Sequence, residues 1–334
     1  MSVQLSVVIP CYNEIEGIAA LRERVTAACE AHARGAWEVI LIDDGSKDGT
    51  TQAIREIAAD DPRYGGLILS RNYGHQIALT AGLHYAQGDR ILILDADLQD
   101  PPELLGDMMA LMDNGADVVY GKRLSRAGET AFKTASAALF YRFLNRLSEV
   151  PIPEDTGDFR LMSRRALDVL NAMPEQHRFI RGMVSWIGYR QVPLEYHRDE
   201  RFAGETKYPL RKMLRLTVDA LTSFSIVPLR LASWVGMITA ALSVPLLIYV
   251  IISWLAGGTV QGWVSLTGIV VLFGGIQLIV VGIIGEYVGR MYMQSKNRPL
   301  FLVDSFERQG GVAAQPISDP AVASQARSNS SRHA

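Results

Sequence analysis

Asp95, Asp97 and Gln99 stand together where the apolar run Ile91-Leu92-Ile93-Leu94 ends, and Asp100 and Glu103 follow closely. Oxygen ligands at that density suit a hard divalent cation. Mg²⁺ usually rests on one or two carboxylates while phosphate oxygens and water complete its shell. The tract therefore predicts Mg²⁺ or Mn²⁺ and a phosphorylated substrate. Asp100-Pro101-Pro102-Glu103 carries a second, local signal: an N-cap, prolines suited to a first turn, and an acid favoured by the helix dipole. Asp100 and Glu103 are accordingly assigned to a helix start, and Asp95 and Asp97 to metal or substrate.

The elements that position these groups follow from hydrophobic period. Apolar, β-branched stretches at residues 5–9, 38–42, 66–69 and 90–94 alternate with helical patterns near 15–33, 50–59, 76–86 and 102–114. This alternation predicts an α/β domain with a mostly parallel sheet covered on both faces. In such sheets ligands bind beyond the carboxyl ends of the strands. Polar clusters fall there: Pro10-Cys11-Tyr12-Asn13-Glu14 after the first strand, Asp43-Asp44-Gly45-Ser46-Lys47-Asp48 after the second, and the Asp95 tract after the fourth. Neither Gly-x-Gly-x-x-Gly after the first strand nor Gly-x-x-x-x-Gly-Lys-Ser/Thr occurs, so a nucleotide held by carboxylates and a metal is expected. Asn13, Ser46 and Asp48 also have turn and capping chemistry, Asn13 as a cap of the following helix.

The 334 residues carry a net charge of −2, which gives no bulk electrostatic case for nucleic acid. Cys11 and Cys29 have neither metal spacing nor a disulfide framework, and no basic n-region precedes an apolar run at the N-terminus. Residues 231–255 and 263–285 contain no charged side chain, and each run exceeds the roughly 20 residues that cross a bilayer as a helix. Arg211, Lys212, Arg215 and Arg230 precede the first run, and Arg290, Lys296 and Arg298 follow the second. The positive-inside rule then predicts a multi-pass protein of the cell (inner) membrane with its catalytic domain and both termini cytoplasmic. The expected domains are a catalytic domain over 1–206, a juxtamembrane amphipathic segment over 207–230 and a transmembrane hairpin over 231–289. A cytoplasmic C-terminal segment over 290–306 and a disordered tail over 307–334 complete the chain. Glu286 and Arg290 are spaced for an i,i+4 pair, and Gly285 and Gly289 for close packing of spans or of a second copy. Residues 122–146 alternate Lys122, Arg123, Arg126, Lys133, Arg142 and Arg146 with aromatic and aliphatic side chains, a pattern suited to an anionic membrane surface.

Val8-Ile9-Pro10-Cys11-Tyr12-Asn13-Glu14, Asp43-Asp44-Gly45-Ser46-Lys47-Asp48-Gly49-Thr50 and Asp95-Ala96-Asp97-Leu98-Gln99-Asp100-Pro101-Pro102-Glu103, in that order, resemble the family-2 glycosyltransferases of GT-A fold. The likeness is to the polyprenyl-phosphate branch, over roughly residues 3 to 303. It implies a Rossmann-like GT-A domain with two C-terminal transmembrane helices. It also implies inverting transfer of one sugar from a nucleotide-diphosphate donor, UDP-glucose foremost, to polyprenyl (undecaprenyl) phosphate. By the resemblance Pro10, Tyr12, Glu14, Ile42 and Asp44 line the nucleoside pocket, with Asp95 and Ala96 also on the donor. Asp95, Asp97 and Gln99 hold the cation across the diphosphate, and Asp97 takes part in catalysis through it. Arg201 and Lys207, in Arg201-Phe202-Ala203-Gly204-Glu205-Thr206-Lys207, match a segment that closes over the diphosphate. Arg123 and Lys133 are assigned to acceptor phosphate. Asp158, in Asp155-Thr156-Gly157-Asp158-Phe159-Arg160, is placed at the acceptor to orient it or assist weakly as a base, because a phosphate monoester is already largely ionised at neutral pH.

A GDP-mannose or UDP-aminoarabinose donor is the nearest alternative. A processive polysaccharide synthase is disfavoured by only two spans and by the absence of Gln-x-x-Arg-Trp. A silent scaffold or lipid-carrier binding protein is disfavoured by the intact Asp95, Asp97, Arg201 and Lys207.

Overall fold

Valine, isoleucine and leucine on both faces of neighbouring strands require cover on both sides, and the computed structural model, which describes residues 3–124, 156–197, 227–256, 263–308 and 311–312, supplies it. Strands β1 (Leu5–Cys11), β2 (Trp37–Asp43), β3 (Tyr64–Leu69) and β4 (Arg90–Ile93) run parallel, with β1 between β4 and β2 and β3 beyond β2. Every residue of β1 and β3 is buried. The connecting helices are α1 (Ile18–His32), α2 (Thr50–Asp60) and α3 (His75–Tyr85). A 3₁₀ turn (Pro102–Leu104) leads into α4 (Leu105–Asp113). These are the four strands and four helices expected from period.

The sheet is wider than that expectation. Strands β5 (Val118–Arg123), β6 (Thr156–Ser163), β7 (Gln191–Tyr196), β8 (Val303–Arg308) and β9 (Gly311–Val312) extend it to nine strands among the described residues, in the order β7-β5-β6-β4-β1-β2-β3-β8-β9. Only β6 and β8 run against the others, so the sheet is mostly parallel. Helices α5 (Arg164–Ala172) and α6 (Ile180–Ile187) lie between β6 and β7 in the chain. Because β6 is antiparallel to β4, with Ile93 opposite Arg160, the first residues of β6 reach the edge where β4 ends. That reversal brings Asp158 to Asp95.

Strand β8 occupies the outer side of β3, where Phe306 packs on Tyr85 with ring centroids 4.9 Å apart. The position at which the tail was expected to begin, residue 307, therefore lies inside a strand.

Helices α7 (Val227–Leu255) and α8 (Trp263–Ser295) belong to a separate compact unit. At 1.5 Å per residue the 29 residues of α7 extend roughly 43 Å. Among the described residues one segment, Leu272–Ser295, is long and apolar enough to cross a membrane. Leu278, Met291 and Tyr292 on α8 are exposed, as are Trp234, Leu242 and Tyr249 on α7. Arg290 donates to Glu286 at 3.0 Å, the expected i,i+4 pair.

Candidate active site

The ends of β1 and β2 are stapled by side chains. Asn13 sits in the left-handed region at φ +56°, and its N–H donates to Ser46 Oγ at 3.0 Å while its Oδ1 accepts from Lys47 N at 2.8 Å. The N–H groups of Glu14 and Ile15 donate to Thr50 Oγ1 (2.9 Å) and Asp48 Oδ2 (3.1 Å). Asn13 is therefore not the cap of α1. That helix starts at Gly17 without a side-chain cap, and the Asn13 side chain serves the neighbouring turn instead. Tyr12 presents its ring, 46% exposed, beside this junction. Pro10 is paired opposite Ile42 in the sheet, and the Ile42 side chain is fully buried against Gly82.

Asp44 is buried and accepts the N–H groups of Tyr73 (2.7 Å) and Gly74 (2.9 Å), which anchors the β3–α3 loop to the end of β2. Burial raises its pKa, and the two amides oppose that rise. The same loop delivers His75 and Gln76 to the edge.

Asp95 is the least compensated acid there. Burial raises its pKa to about 6, the charge of His75 works against the rise, and Asp158, Asp100 and Asp97 reinforce it. Its Oδ1 is buried without a hydrogen bond, and His75 Nε2 lies 3.5 Å away. Asp97 Oδ1 accepts from Gln99 N at 3.2 Å across Leu98, which is held at φ +57°. A branched side chain in that region is strained by about 1–3 kcal/mol, and such strain clusters at functional sites. Among the described residues no group of three or more His, Cys, Asp or Glu converges on one point. A cation fits nonetheless: two neighbouring carboxylates, one with an orphaned oxygen, match the partial protein shell Mg²⁺ accepts when substrate phosphates complete it.

Asp158, also buried, is compensated. Its Oδ2 meets Gln76 Nε2 at 2.9 Å and His75 Nε2 at 3.2 Å, and its Oδ1 faces Arg181 at 3.5 Å and Arg160 at 3.8 Å. Burial penalises the charge, but the His75 hydrogen bond and the two guanidinium groups prevail and hold Asp158 well below the usual carboxylate range. His75, conversely, is disfavoured as a cation by burial yet held at about 9 by Asp158 and Asp95.

Asp100 overturns its assignment as a helix cap. The cap position is Pro101, with no side-chain cap, and Asp100 is fully buried, accepting from the Tyr196 hydroxyl and pairing with Arg123 at 3.6 Å. Local sequence favours an Asx cap, but the partners at the ends of β5 and β7 offer a charge-assisted bond that a cap does not. Arg123 lies over Gly157, where an added Cβ would come within 2.5 Å of its guanidinium. Glu103 does serve the turn's first residues, and Arg24 holds it through two bonds of 2.8 Å.

The structure thus brings Asp95, Asp97, Arg123 and Asp158 to one edge with Tyr12, Glu14 and Asp44. Lys133, Arg201 and Lys207 lie outside the described residues. His75, Gln76, Arg181 and Tyr196 escaped the sequence reading. Their signal was present in part: Asn72-Tyr73-Gly74-His75-Gln76 is a fourth polar tract after a parallel strand.

The description of Glycosyl transferase family 2 matches residues 6–170. The "Uncharacterized glycosyltransferase YkcC" of Bacillus subtilis (strain 168) is 46% identical over 90% of this chain and 93% of its own. A "Prophage bactoprenol glucosyl transferase homolog" of Escherichia coli (strain K12) is 38% identical over 90% and 98%, and the "Bactoprenol glucosyl transferase" of Shigella phage SfII 38% over 91% and 99%.

Proposed function

Because this chain belongs to glycosyltransferase family 2, we propose that it transfers a single sugar from a nucleoside-diphosphate donor, UDP-glucose foremost, to polyprenyl phosphate at the cytoplasmic membrane face. The observation that carries the reading is the match along nine-tenths of the chain, apolar helices included, to relatives named for glucosyl transfer to bactoprenol.

A lipid phosphate oxygen attacks the anomeric carbon, the bond from that carbon to the donor diphosphate breaks, and the configuration inverts. Asp95, Asp97 and Gln99 would hold Mg²⁺ or Mn²⁺, which would supply positive charge against the leaving diphosphate. Pro10, Tyr12, Glu14, Ile42, Asp44 and Ala96 define the donor side, with Arg201 and Lys207 on the diphosphate. Arg123, steadied by Asp100 and Tyr196, meets phosphate, and Lys133 adds charge for the lipid head group. The low pKa of Asp158 makes it a poor proton acceptor, which supports an orienting role toward an acceptor that arrives ionised. Helices α7 and α8 form the membrane hairpin with both chain ends cytoplasmic, and the faces around Gly285 and Gly289 offer contact to a second copy.

Purified full-length protein with polyprenyl phosphate, Mg²⁺ or Mn²⁺ and a panel of labelled nucleotide sugars tests the reading. A lipid carrying one sugar is expected, with UDP-glucose preferred. Polymer would identify a processive synthase, and no turnover with any donor a silent scaffold. Asp158→Asn is expected to lower turnover without weakening donor binding, and alkaline pH should not restore it. Recovery at alkaline pH would instead make Asp158 an essential base.

A further inference from the structure

Gln76 spends both ends of its amide inside the fold. Its Oε1 accepts the N–H of Ile180 at 2.9 Å, and its Nε2 donates to Asp158 Oδ2 at 2.9 Å. The orientation is forced, since a backbone N–H can only donate and therefore claims the carbonyl end. Ile180 is the first residue of α6, whose N-terminus has no side-chain cap of its own. Gln76 thus satisfies one orphan donor of that helix. The next residue, Arg181, reaches the other Asp158 oxygen at 3.5 Å. One amide therefore grips Oδ2 directly and steadies the helix that faces Oδ1. The Gln76 backbone carbonyl is in turn tied by the buried Thr80 hydroxyl at 2.7 Å.

We propose that Gln76 is a positioning residue of the transfer reaction, acting through Asp158 by fixing the rotation of its carboxylate. This rests on the reading of Asp158 as the acceptor-orienting group. A carboxylate pinned at both oxygens keeps Arg181 in one orientation, and that guanidinium supplies the donors an incoming anionic phosphate meets. Without Gln76, Oδ2 keeps only the longer 3.2 Å contact to His75 Nε2, and the carboxylate rotates about its last bond and shifts its Arg181 partner.

The test is a four-protein cycle in the full-length chain: wild type, Gln76→Glu, Asp158→Asn and the double variant, assayed with UDP-glucose, Mg²⁺ and a short-chain polyprenyl phosphate. Gln76→Glu keeps an acceptor for Ile180 N–H but sets a carboxylate against Asp158. It is expected to cost about 10²-fold in kcat, the scale of a small misplacement at a reacting group, with donor KM unchanged. In the Asp158→Asn background it should cost nothing further, because its effect runs through the missing charge. Multiplying losses would overturn the proposal, as would a donor KM rise with kcat intact. Melting temperatures of the same four proteins read the contact without turnover. In the double variant the carboxylate introduced at position 76 faces the amide introduced at position 158, which restores a donor–acceptor pair. That protein should therefore regain the stability that Gln76→Glu loses. Summed losses would also overturn the proposal. A wild type that makes no lipid-linked sugar would overturn the acceptor reading, while the melting cycle would still decide the contact.

Discussion

At the amino edge of the sheet Glu38 is buried and fully engaged: it accepts from Ser6 Oγ at 2.6 Å and Gln87 N at 2.8 Å, and Arg308 of β8 donates to it. On the same edge but four strands away, Asp117 accepts Arg165 through two contacts of 2.5 Å and Ser163 Oγ at 3.2 Å. At the carboxyl edge of the same sheet Asp95 keeps an oxygen without a hydrogen bond and a raised pKa, beside a leucine in the left-handed region. Both edges bury acids. One completes their partnerships within the chain, and the other leaves an Asp95 oxygen without a hydrogen bond from the protein. Electrostatic energy left unsatisfied in the free protein becomes available to substrate, at a cost to stability.

Removing the Asp95 charge gives the largest separation of the two edges. Asp95→Asn removes the carboxylate proposed to ligate the cation and relieves repulsion from Asp158, Asp100 and Asp97. Turnover should fall about 10³-fold, corresponding to several kcal/mol of transition-state stabilisation. The melting temperature should hold or rise. A destabilised variant with near-normal turnover would make Asp95 another structural acid, like Glu38.

The converse change is Glu38→Ala. It strands Arg308 and the Ser6 hydroxyl, leaves the Gln87 N–H only its 3.1 Å bond to Ser6 Oγ, and is expected to cost about 3 kcal/mol. That lowers the melting temperature by roughly 6–12 °C in a domain of this size. Turnover per folded molecule should be unchanged. An intact melting temperature would show that the Glu38–Arg308 contact adds nothing to stability beyond the pairing of β8 with β3.

The smallest effect is in pH dependence without added metal. His75 in the fold titrates near 9, above its usual 6.5, so its pairing with Asp158 and Asp95 stabilises fully below pH 6.5 and fades as pH rises through 9. Urea midpoints of the wild type should fall across that window, and those of His75→Asn should not. The side chain is 43% exposed, so solvent screening keeps the amplitude modest. Parallel curves would remove His75 from the carboxyl-edge network.

The central strands were legible because Leu5–Cys11 and Trp37–Asp43 repeat apolar side chains that only a doubly covered sheet can bury. Strand β6, Thr156–Ser163, was not: it buries Asp158 and Arg160, and charges within a strand erase the apolar signal. In β7, Gln191–Tyr196 is only partly buried and contains Pro193, which weakens a strand pattern further. Strand β8, Val303–Arg308, is mostly polar because it covers an edge. Asp100 was misplaced because its immediate neighbours spell a helix start, whereas Tyr196 and Arg123 are distant in the chain.

By itself the sequence determined the parallel core, the acidic strand ends and the apolar helices, all of which arise from short-range period and from side chains adjacent along the chain. Only the tertiary structure decided which acids are paired and which are left open. That depends on the reversed run of β6 and on the loop that Asp44 anchors, which bring His75, Gln76 and Arg181 around Asp158 and leave Asp95 without a hydrogen bond at Oδ1. Pairing of buried charge is a matter of distance in space, and no local pattern encodes it.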